Sequence, residues 1–106
     1  MRDYEVMTIH RPDMAEDDVE RNVSALETHL AESGGSVTKR DMWGKRRFAY
    51  EIDHLNEGYY SVVTFQAGPE TVASLDRALS LADEVVRHKI VRLGDQAAGI
   101  RPTDAA

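Results

Sequence analysis

The run Trp43-Gly44-Lys45-Arg46-Arg47-Phe48-Ala49-Tyr50 brings together residue types that share a chemistry. Lys and Arg neutralise phosphate, while guanidinium planes and aromatic rings stack on splayed bases. Cations interleaved with Trp43, Phe48 and Tyr50, with Tyr59 and Tyr60 close behind, therefore supply both ingredients of RNA recognition. The same aromatics also suit the core face of a strand, and at least one of Phe48 and Tyr50 is expected to serve that way. A second basic segment, Val85 to Leu93, holds Arg87, Lys89 and Arg92 and no acid. Between Lys39 and Arg47 the only acid is Asp41, set against Lys39, Arg40, Lys45, Arg46 and Arg47. The whole chain nevertheless carries a net charge of -6, so the excess acid lies outside these two segments. Such segregation can present one positive surface on an otherwise acidic protein, and charge alone fits chance patchiness equally well.

Other chemistry finds little to build on. His10, His29, His54 and His88 stand far apart, without metal-ligand spacing, and read as solvated or loop histidines. Asp17 and Asp18 are adjacent in what reads as a first helical turn, where acids complement the helix dipole. Gly34-Gly35 reads as a helix stop, not a phosphate cradle. The chain has no cysteine, which removes disulfides, thiolate metal sites and cysteine nucleophiles and fits a reducing, cytoplasmic setting. No catalytic residue, metal ligand, cofactor or small-molecule substrate is expected. No apolar run approaches the roughly 20 residues that span a bilayer, and no membrane partner or export signal is expected.

The elements that must position the two basic segments follow from periodicity. Arg2 to Ile9 alternates as a strand, Tyr4, Val6 and Thr8 on one side and Glu5, Met7 and Ile9 on the other, apolar on both and so central in its sheet. Arg11-Pro12-Asp13 supplies a turn and a candidate N-cap. Val19, Val23, Leu26 and Leu30 then mark an amphipathic helix that ends at Gly34-Gly35. A long strand from Ser36 to Ile52 is interrupted by Gly44, which predicts a bend or bulge. Asp53 to Gly58, containing Asn56, Glu57 and Gly58, suits a hairpin loop, and Tyr59 to Phe65 is strongly strand-like. Pro69 opens a second helix, with Val72, Leu75, Ala78 and Leu79 as its apolar stripe to about Leu81. The basic strand Val85 to Leu93 closes the fold.

At 106 residues, one domain over 1–93 and a flexible, small and polar tail over 94–106 are expected. The fold class is α+β: a ferredoxin-like βαββαβ, a four-stranded antiparallel sheet with two helices packed on one face. The other face would stay open. Met7, Ile9, Tyr60 and Val62 pointing there would form an exposed apolar patch of the kind that marks a partner surface.

From Met1-Arg2-Asp3-Tyr4-Glu5 through Gly44-Lys45-Arg46-Arg47-Phe48-Ala49-Tyr50-Glu51-Ile52 and Glu57-Gly58-Tyr59-Tyr60 to Val86-Arg87-His88-Lys89, the chain resembles bacterial small-subunit ribosomal protein number six. The resemblance covers nearly the whole chain, and the order and spacing of these pieces are highly specific. It departs in the polar Thr8 and His10, where the family usually has aliphatic residues. It implies a cytoplasmic, non-catalytic constituent of the small ribosomal subunit that binds the central region of 16S ribosomal RNA together with small-subunit ribosomal protein number eighteen. By position, Arg2, Arg46, Arg47, Arg87, Lys89 and Arg92 would lie near RNA phosphate. The sheet's edge and open face, with Met7, Ile9, Trp43, Tyr60 and Val62, would meet the partner protein. Strand alternation turns Arg46 and Arg47 to opposite sides, so that only one would face RNA. Two other classes compete on fold alone: a small dimeric enzyme with a pocket between sheet and helices, and a ligand-binding regulatory module.

Overall fold

A computed structural model describes residues 1–93, and the tail expected over 94–106 lies outside the described residues. The elements are β1 (Arg2–His10), α1 (Glu16–Glu32), β2 (Ser36–Ile52), β3 (Leu55–Ala67), α2 (Pro69–Leu81) and β4 (Val85–Arg92). The strands form one antiparallel sheet in the order β2-β3-β1-β4, which is the ferredoxin-like arrangement. β1 is central, as its two apolar faces require.

Register divides the side chains between two layers. Val6 pairs with Val63 and Ile90, whereas the next residue, Met7, pairs with Val62 and Lys89. Paired residues share a face, so Val6, Val63 and Phe65 meet Val23, Leu26 and Leu30 of α1 and Leu75 and Leu79 of α2 in one core. Each such side chain contributes roughly 1.5–3 kcal/mol relative to exposure. Thr8 and Ser61 also pair on this face, and their buried hydroxyls are bonded at 2.5 Å, which satisfies two polar groups at once.

The ends of α1 follow different rules. Asp13 does not cap it: the helix begins at Glu16 after Ala15, with no side-chain cap, and Asp13 instead pairs with Arg11. Glu16, Asp17 and Asp18 supply the negative charge that the helix start favours. At the other end Gly34 N–H donates to Ala31 O and Gly35 N–H to Leu30 O, a Schellman pair that Gly34 permits with φ +94°.

Three of the four histidines are structural ties, not solvated groups. His10 Nε2 bonds Asn22 Oδ1 at 2.9 Å and joins β1 to α1; His29 meets Ser74 Oγ at 3.0 Å between the helices; His88 meets Asp76 at 2.8 Å and joins β4 to α2. Alternation accounts for two of them, since His10 and His88 share the helix-facing parity of Val6 and Ile90. Only His54 is exposed, at a turn.

The hairpin has a tighter loop than the expected Asp53 to Gly58, and its consequence differs. Its loop is Asp53-His54, closed by the pair Ile52 and Leu55, with both loop residues at positive φ (50° and 65°), as a two-residue primed turn demands. Asp and His are among the few side chains that enter that region readily. Asn56, Glu57 and Gly58 therefore belong to β3. β2 and β3, at 17 and 13 residues, overrun the 9-residue β1. The overhang curls across the face that lacks helices, so that face is not open. Met7, Ile9, Tyr60 and Val62 form a second buried core with Phe48 and Ile52, edged by Trp43, Leu55, Val86 and Val91. The expected exposed apolar patch is absent because the chain's own hairpin covers it.

Candidate nucleic-acid interface

Gly58 is where the hairpin closes down. A Cβ there would lie 2.7 Å from Ile9 Cγ2, 2.8 Å from His10 O and 3.1 Å from Phe48 Cζ, so the approach requires glycine. Tyr60 is 1% exposed, with Phe48 edge-on at 6.1 Å and Trp43 stacked at 6.3 Å. The Tyr60 hydroxyl has no hydrogen-bond partner among the described residues. Burial pushes this phenol's pKa up, and the nearby positive charge of Arg87 draws it back in part. Arg87 thus stands at the margin of the second core.

Gly44, at φ +82°, is the bend in β2 that the sequence indicates, and Trp43 beside it is the residue that the pairing skips between Met42 and Gly44. This bulge turns Trp43 onto Tyr60. Beyond it Lys45 pairs with Tyr59 and sets its ammonium 5.1 Å from that ring. Arg46 pairs with Gly58 and Arg47 with Glu57, so the two arginines take opposite sides of the hairpin. Arg46 Nε donates to Trp43 O at 3.2 Å.

On β4, Arg87 pairs with Ile9 and Lys89 with Met7, which puts both cations on the side of the second core. Arg92 pairs with Tyr4 and takes the helix-facing side, and Arg2, paired with Ala67, lies at that same end of the sheet. The six basic candidates are therefore not one cluster. Arg87 and Lys89 are neighbours; Arg46 and Arg47 lie on the opposite edge strand, roughly 14 Å away across three strand spacings of a flat sheet; Arg2 and Arg92 sit at the far end.

One property unites them, and Lys45 and Arg77 of α2 share it. Arg11, Arg21, Lys39 and Arg40 each pair with an acid, Arg40 with Glu27 at 2.7 Å. Arg2, Arg46, Arg47, Arg87, Lys89 and Arg92 are all exposed and make no ion pair with another described residue. Exposed cations without internal partners are available to an external anion. The opposite layer is acidic, since α1 carries Glu16, Asp17, Asp18, Glu20, Glu27 and Glu32 against Arg21 alone. Among the described residues no group of three His, Asp or Glu is placed to hold a metal, and no helix is long and apolar enough to cross a membrane.

The sequence did not separate the aromatics of the run by fate. Phe48 is buried, as at least one of the two was expected to be, and Tyr50 is 66% exposed. The signal for Gly58 was there in a glycine between strand-like residues, which marks a close approach as readily as a turn.

A βαββαβ sheet whose helix-free face is sealed by its own hairpin and bordered by unpaired cations defines a ferredoxin-like scaffold. Comparison with known proteins is specific about which one. Residues 3–92 match the family model described as Ribosomal protein S6, and the chain belongs to that family. It is 48% identical over 92 residues to small ribosomal subunit protein bS6 of Carboxydothermus hydrogenoformans, covering 87% of this chain and 96% of that protein. The bS6 of Desulforamulus reducens is 44% identical over 95 residues, 90% of this chain and all of that one. Among solved structures, 30S ribosomal protein S6 from Thermotoga maritima superposes with a TM-score of 0.82 at 32% identity, covering 86% of each chain. The C-terminal domain of MgtC from Mycobacterium tuberculosis shares the fold alone, with a TM-score of 0.59 at 16% identity over 94% of this chain and 95% of that one. Ribosomal protein S6 is a family of structural ribosomal proteins, not of enzymes.

Proposed function

We propose that this chain binds the central region of 16S ribosomal RNA together with small-subunit ribosomal protein number eighteen, as a structural constituent of the small ribosomal subunit on the cytoplasmic ribosome. Family membership supplies the subunit. The observation that favours RNA is that Arg87 and Lys89 emerge side by side on the second-core side of an exposed edge strand, neither with an internal acid. Arg2, Arg92 and one of Arg46 and Arg47 extend the phosphate contacts beyond that centre. Because the hairpin buries Met7, Ile9, Tyr60 and Val62, the partner protein would meet the rim of this core, where half-buried Trp43, Val86 and Val91 reach the surface.

The acidic helix layer and the net charge of -6 disfavour tight RNA binding by the chain alone, so the partner must add affinity. The test is binding of the chain, with the partner present, to a central-domain 16S fragment over a range of salt. The double variant Arg87→Glu with Lys89→Glu should bind at least about tenfold more weakly. Neutral Gln at both positions should flatten the slope of log affinity against log salt by about 2. Binding that ignores salt, or variants as tight as the parent, would refute the proposal.

A further inference from the structure

The aromatic residues around the basic run have distinct surroundings. Phe48 and Tyr60 are buried against each other, Trp43 is stacked on Tyr60, and Tyr59 is covered by the Lys45 ammonium. Tyr50 alone of them makes no ring contact with another described residue and stands 66% exposed. Its backbone is equally distinctive. Pairing passes from Arg47 and Glu57 directly to Ile52 and Leu55, so Phe48, Ala49, Tyr50 and Glu51 of β2 stand opposite Asn56 alone. Phe48 and Ile52, buried in the second core, anchor the ends of this bulged segment and present the ring between them to solvent.

An exposed ring on an anchored segment has lost much of its freedom before any ligand arrives, which lowers the entropic cost of stacking. Three and four residues upstream, about 10–13 Å along extended chain, are Arg47 and Arg46, exposed and without an acid partner. The adjacent acid, Glu51, and Glu57, opposite Arg47, keep this from being a simple basic patch. A flat aromatic surface with exposed cations that form no ion pair matches a base and its phosphate better than it matches an apolar protein surface.

We propose that Tyr50 is a stacking platform for one unpaired RNA base, with an adjoining phosphate held by whichever of Arg46 and Arg47 shares its side of the hairpin. This rests on the RNA-binding reading above, and names a base contact that the cation pattern does not contain. The experiment compares the full chain with Tyr50→Phe, Tyr50→Trp and Tyr50→Leu, each with the partner protein, for binding to the central-domain 16S fragment. Binding of the partner without RNA and thermal unfolding are measured in parallel. Phe and Trp should keep affinity within about twofold, whereas Leu, which is apolar but not planar, should lose about tenfold. Because stacking carries no charge, the salt slope should stay unchanged in all three, unlike that of the Arg87 and Lys89 variants. Leu binding as tightly as Tyr overturns the proposal, as does a loss with Leu that appears equally in partner binding without RNA, which would make Tyr50 a protein contact. Failure of the parent chain to bind the RNA with its partner present overturns both proposals and is distinguishable, since it precedes any variant.

Discussion

Substituting Gly58 by alanine tests whether the hairpin closes the second core. The new methyl would meet Ile9 Cγ2 at 2.7 Å, His10 O at 2.8 Å and Phe48 Cζ at 3.1 Å. A side-chain terminus can swing away, but the His10 carbonyl belongs to the central strand and is held by the sheet. Relief must therefore come from the hairpin, which lifts away from β1 and loosens Phe48 over Tyr60. Overpacking of this kind costs about 1–3 kcal/mol, and the presence of a backbone atom among the collisions points to the upper half. For a domain of this size about 2–3 kcal/mol lowers Tm by roughly 8–24 °C.

Trp43, the only tryptophan, stacks on Tyr60 at the edge of this core and reports its opening. Gly58→Ala should lower Tm and shift Trp43 emission to the red, while far-UV circular dichroism keeps the signal of α1 and α2, which pack on the other face. Gly44→Ala is the control. Nothing lies within 4 Å of its Cβ position, so its cost comes from φ +82° alone, about 1–2 kcal/mol, and not from a collision. Gly58→Ala as stable as the parent, with unchanged Trp43 emission, would refute the packing of hairpin on β1.

Two further perturbations probe the helix-facing core. His10 should make the fold acid-sensitive: burial holds its pKa below the usual 6.5, against smaller upward pulls from the Asn22 hydrogen bond and from Glu84, and its Nδ1 is buried without a partner. The unfolded chain then binds the proton more readily, so this contribution to stability is full above pH 6.5 and falls as pH drops below it. Urea unfolding between pH 7 and 5 should show that loss in the parent and less of it in His10→Leu; equal slopes would remove His10 as the cause. Thr8→Val leaves the Ser61 hydroxyl buried without its 2.5 Å partner and should cost about 1–3 kcal/mol, whereas adding Ser61→Ala should recover part of that loss. A double variant as unstable as the sum of the single ones would show that the two hydroxyls do not act as a pair.

Local periodicity made most of the scaffold legible. Val19, Val23, Leu26 and Leu30 recur at helical spacing because α1 buries one stripe against one sheet, and all four are buried. Alternation in β1 likewise separated Tyr4, Val6 and Thr8 from Met7 and Ile9 as the register does. What periodicity lacks is the third dimension of a long strand. Nothing in the order of residues from Phe48 to Gly58 says that this segment leaves the plane of the sheet and lies over Ile9, because that contact joins parts of the chain nearly fifty residues apart. The loop expected over Asp53 to Gly58 is shorter than its turn-forming residues suggest for a related reason: Asn56 and Gly58 have stronger turn character than Asp53 and His54, but Gly58 is needed where the hairpin meets β1, and the turn falls to residues that merely tolerate positive φ. Burial of Met7, Ile9, Tyr60 and Val62 then moves the proposed contacts from the apolar face to its rim, where Trp43 lies, and to the exposed Arg87, Lys89 and Tyr50. There affinity must come from charge and planar contact, with the buried apolar area already committed to the fold. Opening the second core through Gly58 should therefore lower RNA affinity indirectly, by displacing Arg46 and Tyr50, even though Gly58 itself offers RNA nothing to hold.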